Sequence, residues 1–230
     1  MKKFLLIVLS FAYLWVLNSC ITIEENYTFK KNGSGTMEYK MDMGKMMEQM
    51  GQLMDMSQME GGNPLGKSAS FKEVEGQLKN IAGISKVKTV EDNKKYIYSI
   101  SFKFKNLAAM NEAMNLIMLK KTKDDPEFFT FVRKEGNRYY YQNSQSSGAM
   151  QDISGMFGGE MDSEYAVSSL ESFKYNVTMN FPAEVDAVYS GLVGEESVGV
   201  DAKTLKITTN LKEMTERGEE GMTTSVICNK

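Results

Sequence analysis

The sequence predicts an α+β fold, an antiparallel β-sheet with helices packed on one face. Three observations predict it. Several runs alternate apolar and polar residues with the two-residue period of a strand, as in ITIEENYTF at 21–29 and YIYSISFKF at 96–104. Other runs space apolar residues by three and four, as in Phe71, Val74, Leu78 and Ile81, the stripe of an amphipathic helix. Neighbouring alternating runs are separated by short glycine- or asparagine-bearing turns, the signature of antiparallel hairpins. With 42% hydrophobic residues, 25% charged and three prolines in 230, the chain has the apolar content of a sizeable domain and not the composition of a disordered stalk.

In chain order, ITIEENYTF and TMEYKMDM flank KKNGSG and form a first hairpin. A methionine-rich segment, MDMGKMMEQMGQLMDMSQME at 41–60, follows at once, and GGNPLGKSAS breaks it as a loop over 61–70. The helix expected from Phe71 closes at Gly83. ISKVKTVEDNKKYIYSISFKFKN supplies two strands around Asp92-Asn93, and LAAMNEAMNLIML returns to helical spacing through Leu107, Met110, Met114 and Ile117. This helix-strand-strand-helix order predicts a ferredoxin-like unit.

PEFFTFVRKEGNRYYYQNSQ is a second hairpin turning at Glu135 to Asn137. SSGAMQDISGMFGGEMDSE reads as a flexible Gly/Ser/Met excursion over 143–162, and a helix is expected from Ser163 to Phe173. YNVTMNFPAEVDAV and VGVDAKTLKITTNLKEM add strands, the latter turning at Asp201 to Lys203. The expected organisation is a leader at 1–19, an anchored hairpin and Met-rich helix at 20–60, the loop at 61–70, and the α-β-β-α unit with its hairpin at 71–142. The excursion at 143–162 and a helix with C-terminal strands at 163–230 complete it, with 20–230 forming one globular domain.

The N-terminus, MKKFLLIVLSFAYLWVLNSC, has two lysines, an apolar run from Phe4 to Leu17, and a cysteine after two small polar residues. The run is shorter than the roughly 20 residues a membrane-spanning helix needs, so a cleaved signal peptide is expected. Leu17-Asn18-Ser19-Cys20 resembles the bacterial lipobox, which implies that Cys20 is acylated and becomes the first mature residue. Two or three acyl chains anchor stably, each buried methylene contributing about 0.8 kcal/mol. Removing residues 1–19 takes away Lys2 and Lys3 and moves the formal net charge from −3 to −5, with 25 basic and 30 acidic residues. That charge offers nothing to nucleic acid or anionic headgroups, so the anchor must be the lipid. With Cys20 acylated, only Cys228 remains, and no intramolecular disulfide can form; Cys228 is expected as an apolar residue on a terminal strand.

Enzyme chemistry is not expected. The chain has no histidine, which excludes Ser-His-Asp and Cys-His relays and the ordinary zinc site. The adjacent pairs Glu195-Glu196 and Glu219-Glu220 lie in turn-like, solvated contexts, and neither GSG nor GGE sits in a phosphate-cradling loop. No cofactor is implied. The methionines leave two readings open. Met43, Met46, Met47 and Met50 are thioethers, soft ligands suited to Cu(I) in an extracytoplasmic compartment. They also fall at offsets of three, four and seven, which is the apolar face of a helix that needs no metal.

VTMNFPAEVDAVYSG, DAKTLKITTNLKEM and the early NGSGTMEYKMDM together resemble the LppM-like family of bacterial envelope lipoproteins. The resemblance spans most of the mature chain. It departs at Ala183, where the family often has glycine, and at the terminal TTSVICNK, where the family often has a transmembrane helix. It implies an envelope lipoprotein with a β-rich, lipid-interacting domain and supplies no catalytic residue. The expected function is therefore a non-enzymatic, lipid-anchored extracytoplasmic binding or interaction protein. Its partners would be the membrane through acylated Cys20 and an envelope lipid or protein, and its address the outer membrane of a Gram-negative cell. A periplasmic Cu(I)-binding protein using residues 41–59 is the alternative.

Overall fold

The computed structural model describes residues 21–53, 71–119, 121–126, 128–142, 172–190, 198–210, 213 and 223–229. The first hairpin forms as the alternation requires: β1 (Ile21–Phe29) pairs antiparallel with β2 (Gly35–Asp42), and Gly33 at φ +80 closes the turn. Helix α1 (Gly44–Leu53) follows directly, so Met41 and Asp42 belong to β2 and not to the Met-rich helix. Residues 54–60 of that expected helix lie outside the described residues.

Helix α2 (Phe71–Leu78), strands β3 (Ile84–Asp92) and β4 (Ile97–Phe104), and helix α3 (Leu107–Met114) occur in the expected order. α2 ends at Leu78, before Ile81; Gly83 comes later, at φ +95 in the turn into β3. Asn106 caps α3 by accepting a 2.9 Å bond from the Ala109 amide, and α3 continues as a π-helical stretch, Asn115–Leu119. The ferredoxin-like description goes further than the strand pairing does. The next strand, β5 (Val132–Glu135), leaves this sheet and pairs with β6 (Arg138–Gln142) in another.

The remaining strands are β7 (Phe173–Asn180), β8 (Val185–Ser190), β9 (Val198–Asp201), β10 (Thr204–Asn210) and β11 (Thr223–Cys228). Two sheets result, one of seven strands in the order β3-β4-β2-β1-β7-β10-β9 and one of four in the order β5-β6-β11-β8. The first is mixed and not wholly antiparallel as expected, because β1 and β7 run parallel at its centre, Ile21 opposite Phe173 and Thr28 opposite Asn180. A parallel pair needs a long crossover, which here is everything between the two strands. The helix expected to reach Phe173 does not: Phe173 opens β7, and 163–171 lie outside the described residues. Strands β7 and β8, close neighbours in sequence, separate into different sheets at Phe181-Pro182.

One face of the seven-stranded sheet carries the core. On β1 the inward row is Ile21, Ile23, Glu25, Tyr27 and Phe29; on β4 it is Tyr98, Ile100, Phe102 and Phe104; on β7 it is Phe173, Tyr175, Val177 and Met179. α2 packs over the β3–β4 side through Leu78 and Phe71, whose ring meets Tyr39 edge-on at 6.1 Å. The four-stranded sheet closes over the β1–β7 side, where Phe29, Tyr139 and Phe181 stack within 5.7 Å of one another.

Two buried asparagines join helix to second sheet. Asn111 donates to the Val132 carbonyl at 2.8 Å and accepts from its amide at 3.0 Å; Asn115 does the same with Phe129 at 2.6 and 2.8 Å. A helix presenting amides at i and i+4 thereby completes the pairing of the extended backbone leading into β5.

Candidate functional site

Among the described residues, three places carry chemistry. The first is the end of the seven-stranded sheet at which β1 begins. Ile21 starts a strand with no intervening loop after Cys20, which itself lies outside the described residues. Register brings Asp42, Ile97, Phe173 and Asn210 to the same end of the sheet. Beside them, Met43, Met46 and Met47 are buried in the apolar core, at 1%, 8% and 5% exposure. Met43 is held by its amide, which donates to the Tyr96 carbonyl at 3.0 Å. The Met50 side chain is outside what the structure describes. Among the described residues no group of three or more Cys, Asp or Glu could hold a metal ion, and no helix is long and apolar enough to cross a membrane.

The second place is a buried carboxyl that the sequence reading did not single out. Glu25, 1% exposed, lies between the sheets, and three tyrosine hydroxyls converge on it. Tyr27 on β1 donates to Oε2 at 2.7 Å, Tyr141 on β6 donates to the same oxygen at 3.0 Å, and Tyr175 on β7 donates to Oε1. Burial pushes the Glu25 carboxyl above its ordinary value, outweighing the three hydroxyls, which pull it down. Tyr27 and Tyr175 are pushed well above the usual phenol range, by burial first and then by the charge of Glu25. Removed from solvent, the acid cannot reach a substrate; its effect is to tie the four-stranded sheet to the centre of the larger one. A signal for it exists in the sequence, since Glu25 interrupts the inward row of β1 between Ile23 and Tyr27.

The third place is a pocket of about 410 Å³ at the opposite end of β1. Lys31 comes from the β1–β2 turn, Lys134 and Tyr139 from the β5–β6 hairpin, Pro182 and Ala183 from the crossing between sheets, and Cys228 from the end of β11. Cys228 is buried on a terminal strand; burial pushes its thiol up, while the nearby Lys134 charge pulls it down. Asn137 donates to the Cys228 carbonyl at 2.6 Å and fixes the end of the strand.

No protein-family model matches the chain, and no curated protein sequence matches it. Among solved structures the chain is similar to the NMR structure of the folded domain of Mycobacterium tuberculosis LppM. The two are 10% identical with a TM-score of 0.46, and the likeness covers 93% of this chain and 92% of that one.

Proposed function

We propose that the protein is a non-enzymatic binding or interaction protein of the bacterial cell envelope, held on its membrane by acyl chains on Cys20. What supports the reading is the lipobox-like Leu17-Asn18-Ser19-Cys20, which the central strand of the domain follows directly from Ile21. Acyl chains there would place the Ile21 end of the sheet against the bilayer. The β1–β2 turn would then stand away from it by the length of a nine-residue strand, roughly 27 Å. Diacylation supports stable membrane residence where a single chain does not.

The anchor is tested in the expressing cell. Changing Cys20→Ala is expected to abolish incorporation of an alkyne-labelled fatty acid and to leave either an uncleaved precursor or protein released from the membrane fraction. Normal cleavage with unchanged membrane retention and no label in the parent protein would overturn it. Packing of Met43, Met46 and Met47 in the core supports a structural task for these thioethers in preference to Cu(I) ligation.

A further inference from the structure

We propose that the pocket between the β1–β2 turn and the β5–β6 hairpin binds a small organic anion, with a ring or short chain in the apolar interior and its acidic group between Lys31 and Lys134. The pocket lies within the roughly 300–1,000 Å³ span of small-molecule sites and has an apolar lining from Tyr139, Pro182 and Ala183. Its two lysines come from different sheets. Lys31 is exposed, Lys134 is half-buried with its ammonium 5.1 Å from the Tyr139 ring centroid, and no carboxylate is among the lining residues. Glu184, next to Ala183, is exposed and outside the lining.

Charge is what points to an anionic ligand. Tyr139 is among the lining residues, but its hydroxyl, the buried side-chain polar atom without a hydrogen-bond partner among the described residues, is sealed from solvent and gives the ligand no donor. Three further lysines stand near this end of the seven-stranded sheet, outside the pocket lining. Lys86 stands at a bulge in β3 with φ +54, next to the Ser85–Lys103 pair, and the Lys103 ammonium is pushed down by Lys86 first and by Lys30 as well. Clustered cations of this kind raise the local concentration of anions.

The proposal does not depend on the anchor, since the pocket is at the far end of β1 from Cys20 and every described element lies within residues 21–229. The chain from residue 21 onward therefore serves for the test, and two probes separate head from body. 8-Anilino-1-naphthalenesulfonate and N-phenyl-1-naphthylamine share an aromatic body, and only the first carries an anion. The sulfonate is expected to bind at one site and about tenfold more tightly than the neutral amine. The double variant Lys31→Ala/Lys134→Ala should weaken the sulfonate about tenfold and leave the amine nearly unchanged. Ala183→Trp, which fills the pocket, should weaken both, and bound sulfonate should slow alkylation of Cys228. Melting curves of the variants establish that they fold. Equal affinity for the two probes, sulfonate binding that ignores the lysine pair, or binding that survives Ala183→Trp would each overturn the proposal, placing the dye on exposed apolar residues such as Tyr189 and Val200.

Discussion

The buried carboxyl between the sheets has the sharpest consequence for stability. Glu25→Ala removes the acceptor of three hydroxyls, two of which, on Tyr27 and Tyr175, are at 0% and 3% exposure. Leaving those two unpaired costs about 1–3 kcal/mol each, so the variant should lose about 2–6 kcal/mol. That is a large part of the 5–15 kcal/mol typical of a domain. Glu25→Gln keeps the shape and one acceptor and should cost much less.

The two variants also differ from the parent in pH dependence, and the sign follows from linkage. Burial raises the folded carboxyl above its ordinary value of 4.5, so the folded state holds the proton after the unfolded state has released it. The stabilisation is complete below the ordinary value and is lost as pH rises through the folded one, by up to about 1.4 kcal/mol per pH unit within that window. Urea unfolding followed by circular dichroism, from pH 4 upward, measures it. The parent should lose stability relative to Glu25→Gln as pH rises above 4.5. Identical pH slopes in parent and Glu25→Gln, or a loss below about 1 kcal/mol in Glu25→Ala, would refute the reasoning.

Three further variants probe the core. Met43 and Met47 changed together to leucine should each cost under about 1.5 kcal/mol, whereas glutamine at both sites buries two amides in an apolar layer and should cost several. If an anaerobic titration shows tight Cu(I) binding that disappears in the leucine variant, packing alone does not account for these methionines. Gly35→Ala should destabilise by at least about 1–3 kcal/mol in thermal melts, because an added methyl would collide with the Thr28 carbonyl oxygen and come within 2.5 Å of the Phe104 ring. A fully stable alanine variant would mean that the β1–β2–β4 packing is looser than described.

The local elements were legible because their determinants are local. The period-two rows of β1, β4 and β7, the turns at Gly33, Gly136 and Ala202, and the starts of α2 and α3 depend on residues within a few positions of one another. What the chain's pattern misjudged has the same physical root. The helix at 71–81 stops at Leu78, because Ile81 reaches the core from a turn and needs no helical backbone to do so. Phe173 ends an apparently helical run, yet it pairs with Ile21, a partner 152 positions away.

The same division holds for function. The sequence by itself determined the apolar N-terminal run that ends before Cys20, the lack of histidine and the alternation that makes a sheet, since each is a property of neighbours or of composition. Only the tertiary structure decided that β1 and β7 lie parallel, that Glu25 gathers hydroxyls from three strands, and that Lys31 and Lys134 face one pocket from two sheets. These depend on which strands exchange main-chain bonds across more than a hundred residues. An alternating pattern specifies which face of a strand is buried and leaves open which strand lies beside it.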